Sequence, residues 1–198
     1  MIQLVFFIIM SLGLADTFSV DVESSSMEWI GEKVGGKHDG NITISYGNVS
    51  RYLKTDSTEV ISGEFIIDMT SIVNNDIVSK EKNKYLVDHL NSPDFFDVEK
   101  FKNATLKIVK NNLFINQDSL HNTMITAEIT IKGITQEIEF PAKITFFNDI
   151  ATAQGTINID RTLFNIKYKS KSYFPDIGDK FIYDNFILNF NIIAKKNN

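Results

Sequence analysis

The stretch EIEFPAKITFFNDIATAQGTINI, residues 137–159, shows the pattern from which we predict the fold. In its first half the even positions, such as Ile138 and Phe140, are apolar and most of the odd positions are polar. After Asn148-Asp149, a dipeptide typical of a tight turn, apolar residues return at every second position. A period of two is typical of antiparallel strands with one buried face and one solvated face. The stretch therefore predicts a β-hairpin.

The same alternation recurs along most of the chain. It is clear in residues 124–132 and 186–192 and less regular before them. In the earlier part we expect four groups to share one face each: Phe18, Val20 and Val22; Ile42, Ile44 and Tyr46; Ile61, Phe65, Ile67 and Met69; and Ala104, Leu106 and Ile108. Pro141 cannot donate to a strand ladder and indicates a bulge or an edge. This pattern predicts an antiparallel β-barrel of about eight strands, with a β-sandwich as the competing architecture.

One segment interrupts the two-residue period. Residues 79–91 carry apolar and aromatic side chains at helical spacing, with Ser79 as a candidate N-cap and Ser92-Pro93 at the end. We therefore predict an all-β fold with one short inserted helix. No linker or repeat divides residues 16–198, which we interpret as one domain.

Composition and the N-terminus limit the classes of function. The 198 residues include no cysteine, which removes disulfides, thiolate metal sites and thiol nucleophiles. The net charge of −5 argues against nucleic-acid binding, which needs a basic face. Residues 1–15 are almost wholly apolar and end in small residues, a pattern typical of a secretory signal peptide; a membrane anchor or a buried strand is the alternative. We expect an exported protein, periplasmic or secreted, with no transmembrane segment after cleavage.

The sequence shows no pattern typical of catalysis. Its three histidines lie far apart, and it contains neither G-x-S-x-G nor a phosphate-binding loop. We expect no metal, no cofactor other than a bound ligand, and no enzymatic activity. An isomerase or dehydratase acting on an apolar substrate is the weaker alternative, with His38, on the expected inner face of its strand, as the candidate acid or base.

Two further features bear on ligand binding. Small residues fall on the inward positions, where they either leave a cavity or relieve crowding: Gly63, Ala127, Ala142, Ala151, Ala153 and Gly155. Residues 160–186 are long, aromatic and rich in lysine. Such a segment either closes the barrel mouth beside an anionic head group or forms an ordinary hydrophobic lid over the core.

Five motifs resemble one known family. They are MEWIGEKVGGKHDG (27–40), SPDFFDVEKF (92–101), IKGIT (131–135), IDRTLFNIKY (159–168) and IGDKFIYDNF (177–186). Together they look like the YceI-like family, over roughly residues 17–194. That resemblance implies a lipocalin-like barrel enclosing an apolar tunnel for a polyisoprenoid, an isoprenoid quinone or a fatty-acid derivative. It also implies an exported carrier or reservoir that binds a long-chain lipid without catalysis.

Strand alternation and the position of the motifs give candidate site residues. The predicted tunnel wall is Phe65, Ile67, Ile129, Phe140, Ile144, Phe186, Leu188 and Phe190. The candidates for the mouth or lid are Trp29, His38, Arg161, Phe164, Tyr168, Tyr173 and Phe174. The alternative function is a structural or interaction protein with a solid core, in which outward residues such as Ile66 and Ile187 form a partner or homodimer surface.

Overall fold

A computed structural model describes residues 15–54, 58–114 and 120–197 of the chain. The predicted signal peptide, residues 1–15, lies outside these ranges except for Ala15. Nine strands and one α-helix form the described part. In chain order they are β1 (Asp16–Val20), β2 (Ser26–Lys33), β3 (Gly36–Leu53), β4 (Glu59–Asp68), α1 (Lys80–Asn91), β5 (Asn103–Leu113), β6 (Thr123–Ile131), β7 (Ile134–Phe147), β8 (Ile150–Asp160) and β9 (Ile182–Lys196).

Eight of the strands, β2 to β9, close into an antiparallel barrel because β3 pairs with both β2 and β4. The extra strand, β1, pairs with the second half of β3 and with the end of β9, so it continues the barrel wall beyond β2. Ion pairs of 2.7 Å, Asp16–Lys196 and Asp21–Lys195, reinforce this junction. The predicted all-β barrel with one inserted helix is confirmed.

A bulge in β3 overturns the prediction for one group of residues expected to share a face. The register of β3 against β4 shifts between Ile44 and Tyr46, which reverses the alternation beyond that point. Ile42 and Ile44 are buried, but Tyr46 is 50% exposed. The prediction that Tyr46 shares their face is therefore wrong. Val22, expected to face inward with Phe18, lies in the turn after β1.

The barrel wall has a seam between β7 and β8. Their ladder joins Ala142–Phe147 to Ile150–Gly155 and stops next to Pro141, which has no N–H to donate. Beyond it, the first half of β7 and the second half of β8 are not paired with each other. A 3₁₀ turn, Arg161–Phe164, and the residues after it pack beside this seam. Phe164 and Ile166 are 1% and 0% exposed, so side chains close the wall here instead of a backbone ladder.

Helix α1 and the turn after it cap one end of the barrel. The side chain of Ser79 accepts a hydrogen bond from the Lys82 N–H at 3.4 Å, which confirms Ser79 as the N-cap. The helix ends at Asn91, followed by Ser92 as the C-cap. Among the described residues, no helix is both long enough and apolar enough to cross a membrane.

The segment leading into α1 lies across β3 next to Gly40. The Val73 N–H donates to the backbone oxygen of Asn41 at 3.0 Å, and the Trp29 Nε1–H donates to the backbone oxygen of Val73 at 3.0 Å. A Cβ atom at Gly40 would lie 1.8 Å from the Val73 oxygen and 2.7 Å from the Trp29 ring. The close approach of strand, segment and indole therefore requires glycine at this position.

A hydrogen-bond network around the Asp76 carboxylate holds the same segment to β3. The Asp76 carboxylate lies 2.8 Å from His38 Nδ1 and accepts the Asp39 N–H at 3.1 Å. The Asn74 amide also donates to it. Burial opposes ionisation of Asp76, but these hydrogen bonds outweigh that effect and lower its pKa from 3.8 to about 2. The ionised carboxylate therefore stabilises the connection between the cap and the barrel.

The crowding at Gly40 predicts a large effect for one methyl group. We expect Gly40→Ala to lower the free energy of unfolding by about 3 kcal/mol, because backbone atoms must move to admit the Cβ. Gly35→Ala is the control, since a Cβ at Gly35 meets no atom within 4 Å. Its stability should stay unchanged or rise by up to about 1 kcal/mol. Urea unfolding of both variants measures this; equal stabilities would contradict the packing described.

The Asp76 network predicts a stability difference that depends on pH. Because its pKa falls from 3.8 to about 2 on folding, the stabilisation is complete above pH 3.8 and is lost as pH falls towards 2. The difference in unfolding free energy between the unmodified protein and Asp76→Asn should narrow over that interval. Asp179→Asn, at a carboxylate away from this network, is the control for the loss of one negative charge. A constant gap for Asp76→Asn would contradict the assignment.

Candidate binding cavity

The barrel interior contains three cavities in a row. The mouth cavity, of about 110 Å³, lies under the cap; the middle cavity is about 70 Å³ and the deep cavity about 40 Å³. Ile67 lines both the mouth and the middle cavities. The middle and deep cavities share Phe65, Ile108, Ile144, Ala153 and Ile192. The shared wall residues place the three separate cavities in succession along one apolar interior, which we call the tunnel.

All eight residues predicted for the tunnel wall line these cavities. Ile67, Ile129, Phe186 and Leu188 face the mouth cavity. Phe65, Phe140, Ile144 and Phe190 face the middle cavity, together with Ile67. Strand alternation therefore places them on the inner face, and their contact with a ligand stays a prediction.

The small inward residues divide between the two roles considered for them. Ala142 and Ala153 line the middle cavity, and Ala151 lines the deep one. Gly63 and Gly155 open no space, because a Cβ at either would lie 2.7 Å from a backbone oxygen of the neighbouring strand. These two glycines relieve crowding, and Ala142, Ala151 and Ala153 widen the tunnel. Ala127 is fully buried and lines none of the three cavities.

Arg161 is the one charged residue among the described residues that line the three cavities. It is 3% exposed and donates to the backbone oxygens of Tyr183, Ile166 and Ile182 at 2.9–3.1 Å. Its Nη2 also lies 3.3 Å from the Asp184 carboxylate. Burial lowers the pKa of its guanidinium, and that carboxylate opposes the shift. Arg161 therefore ties the start of β9 to the seam, and most of its donors are occupied within the protein.

The deep end of the tunnel is closed. Phe18 and Phe146 pack with their ring centroids 5.4 Å apart. The Arg51 guanidinium lies 4.7 Å from the centroid of the Phe146 ring and is paired with Glu59. Because β1 supplies Phe18, the extra strand also closes this end of the barrel.

An aromatic cluster forms the underside of the cap. His89 packs edge-on against Tyr168 and Phe95, with centroid distances of 4.4 and 5.1 Å. Phe96 packs edge-on against Phe186 at 6.2 Å. Phe95, Phe96 and Leu90 line the mouth cavity. Sequence reasoning missed these three lining residues, although the motif SPDFFDVEKF contains two of them.

The wall opens beside the cap, where β2 and β9 separate. Gly31 pairs with Phe186 and Lys33 pairs with Ile182, so three residues of β9 stand opposite one residue of β2. Two of these three, Tyr183 and Asn185, both line the mouth cavity and are exposed. Gly31 also lines the cavity, and a Cβ there would meet no atom within 4 Å. This bulge therefore forms the mouth of the tunnel.

The structure brings some of the predicted mouth residues to the tunnel. Trp29 and Arg161 line the mouth cavity, Tyr168 packs in the cap, and Phe164 lies in the seam. Three other candidates lie away from the cavities. His38 is paired with Asp76, while Tyr173 and Phe174 are 46% and 51% exposed on the outer loop. The mouth is formed instead by Tyr183, Asn185 and Gly31. Sequence reasoning missed these residues because the bulge that exposes them leaves no mark in the alternation.

The chain matches one family model and is similar to several solved structures. The family model described as a YceI-like domain matches residues 18–194, and no curated protein matches the chain. The crystal structure of Burkholderia cenocepacia BcnA is similar, with a TM-score of 0.64 at 18% identity over 89% of this chain and 99% of the other. A polyisoprenoid binding domain from Saccharophagus degradans gives 0.61 at 11% identity over 91% and 98%. The Campylobacter jejuni YCEI protein gives 0.51 at 17% identity over 78% and 83%. Because the family model spans most of its length, this chain belongs to the YceI-like family.

Proposed function

We propose that this protein binds a long-chain apolar lipid inside the barrel and acts as an exported carrier or reservoir for it. The observation that carries the proposal is the row of three apolar cavities, closed at the Phe18 end and open at Gly31. A tunnel with one mouth admits a chain end first and leaves a head group near the entrance. The apolar N-terminal stretch supports export.

Burial of methylene groups supplies the affinity in this proposal. Each CH₂ group moved from water into an apolar interior contributes about 0.8 kcal/mol. A long chain needs few polar contacts at that rate, and Arg161 has few donors left to offer. Selectivity then comes from the shape of the tunnel. The mouth and middle cavities are separate at the level of Ile67, so a chain must displace side chains at that level to reach the deep cavity.

The choice of ligand class rests on the family. The Saccharophagus degradans domain is described as polyisoprenoid-binding. We therefore propose a polyisoprenoid, an isoprenoid quinone or a fatty-acid derivative as the ligand. The proposal assigns binding without catalysis, since the tunnel wall offers a lipid chain apolar contacts along its length.

The single tryptophan of the chain reports on this site directly. Trp29 lines the mouth cavity, so a lipid with bromine atoms on its chain should quench the tryptophan fluorescence on binding. Native mass spectrometry of the purified protein should show a bound lipid mass that organic extraction removes. The control is a soluble head group without a chain, which should neither quench nor bind. A protein that is always empty and never quenched would contradict the proposal; a tight dimer in sedimentation would then favour the interaction role.

A side chain at Gly31 should block the mouth. Gly31→Phe places a ring in the open space at the entrance, and we expect lipid occupancy to fall at least tenfold while the fold is kept. Gly35→Phe, in the same hairpin but outside the cavity wall, is the matched control and should bind as the unmodified protein does. Occupancy measured by extraction and mass spectrometry compares them. Equal loading of both variants would place the entrance elsewhere.

A further inference from the structure

A cluster of exposed lysines and aromatic residues borders the mouth of the tunnel. From Arg161 to Pro175 the sequence has four basic residues and no acidic one, although the whole chain carries a net charge of −5. We call the exposed part of this cluster the basic rim. It consists of Lys33, Val34 and Lys37 from the β2–β3 hairpin, and Lys167, Lys169, Lys171, Tyr173 and Phe174 from the loop after the 3₁₀ turn. Exposed acidic residues at its border are Glu32, Asp176 and Asp179, so the five lysines leave this region net positive.

The two parts of the basic rim meet at the first residue of β9. Ile182 pairs with Lys33 on one side and forms a parallel bridge with Ser170 on the other. Ile182 also lines the mouth cavity. The hairpin and the loop therefore lie side by side at the entrance.

Side-chain contacts connect the basic rim to the mouth. The Lys171 ammonium lies 5.0 Å from the centroid of the Phe181 ring, which packs edge-on against Tyr183 at 5.2 Å. The Lys167 ammonium lies 4.6 Å from the centroid of the Tyr173 ring. Tyr183 is 47% exposed and also lines the cavity. The rim is thus continuous with the wall that a lipid passes on entry.

The chemistry of the basic rim matches a bilayer surface. Tyrosine and phenylalanine insert among head groups, while lysines extend their ammonium groups to lipid phosphates. Lysines near an anionic leaflet each add roughly fivefold to binding. The remaining surface is net acidic, so an anionic leaflet repels it and favours the orientation in which the rim faces the lipid.

We propose that the basic rim docks on anionic lipid bilayers and sets the tunnel mouth against the membrane surface. This inference rests on the proposed function, because it identifies the surface from which the lipid enters or to which it returns. Docking by the rim brings Gly31 and Tyr183 to the level of the head groups. A chain can then pass between bilayer and tunnel without crossing open water.

Vesicle flotation tests the proposal with the full protein. We expect the protein to float with vesicles of phosphatidylcholine and phosphatidylglycerol at low salt, and to float little with phosphatidylcholine alone. Binding should be lost in 1 M salt, where the Debye length is about 3 Å. The first variant combines Lys167→Gln, Lys169→Asn and Lys171→Gln; Asn is chosen because residue 169 has a φ of 49°. The partition coefficient of this variant onto the anionic vesicles should fall at least tenfold, and on the order of a hundredfold if each of the three lysines contributes its fivefold.

A second variant and two controls separate charge from insertion. Tyr173→Ser with Phe174→Ser should also weaken flotation, because it removes the inserted aromatic side chains. The charge control is Lys107→Gln, Lys110→Gln and Lys143→Gln on the outer wall of β5 and β7, and the aromatic control is Phe147→Ser, which is 72% exposed at the β7–β8 turn. Both controls should float as the unmodified protein does, and circular dichroism checks that every variant is folded.

The outcomes distinguish this inference from the proposed function. Absence of flotation with anionic vesicles, or equal flotation of the rim and control variants, would overturn docking by the rim. A lipid-loaded protein that does not float would leave the proposed function standing and remove the docking. Flotation through the rim by a protein that never holds a lipid would support the docking and refute the lipid tunnel.

Discussion

Ring closure by β3 is the constraint on which the rest of the structure depends. Because β3 pairs with β2, β4 and β1, each inward side chain of the barrel faces a common interior. An open sheet with the same alternation would bury that face against a second layer and fill the space. Closure instead fixes a diameter, and the side chains of eight strands at that diameter leave a row of cavities along the axis.

The sequence predicted the parts of the fold and the site that depend on local alternation. A period of two specifies which face of a strand is apolar, so it is enough to place the eight wall residues, from Phe65 to Phe190, on the inner face. It does not report an inserted residue, because a bulge reverses the faces without changing the composition of the strand. This is why alternation alone places Tyr46 on the wrong face and gives no sign of the opening beside Tyr183.

Other features of the site come from contacts between segments distant in sequence. His38 lies on the expected face of β3, but its position is decided by Asp76, 38 residues later. Phe164 lies in the aromatic segment from which the sequence predicts a lid, yet it is buried in the barrel wall. It fills this position because the β7–β8 ladder, which would otherwise close the wall, ends next to Pro141. Alternation cannot show such effects, since each requires knowing which segments pack together.

The seam next to Pro141 is a place where the ladder between two neighbouring strands of the barrel is interrupted. Around most of the circumference, widening the barrel would break backbone hydrogen bonds between neighbouring strands. Between the first half of β7 and the second half of β8, side chains such as Phe164 and Ile166 join the wall instead. Widening the barrel at this place would therefore separate packed side chains and break no β7–β8 ladder hydrogen bond.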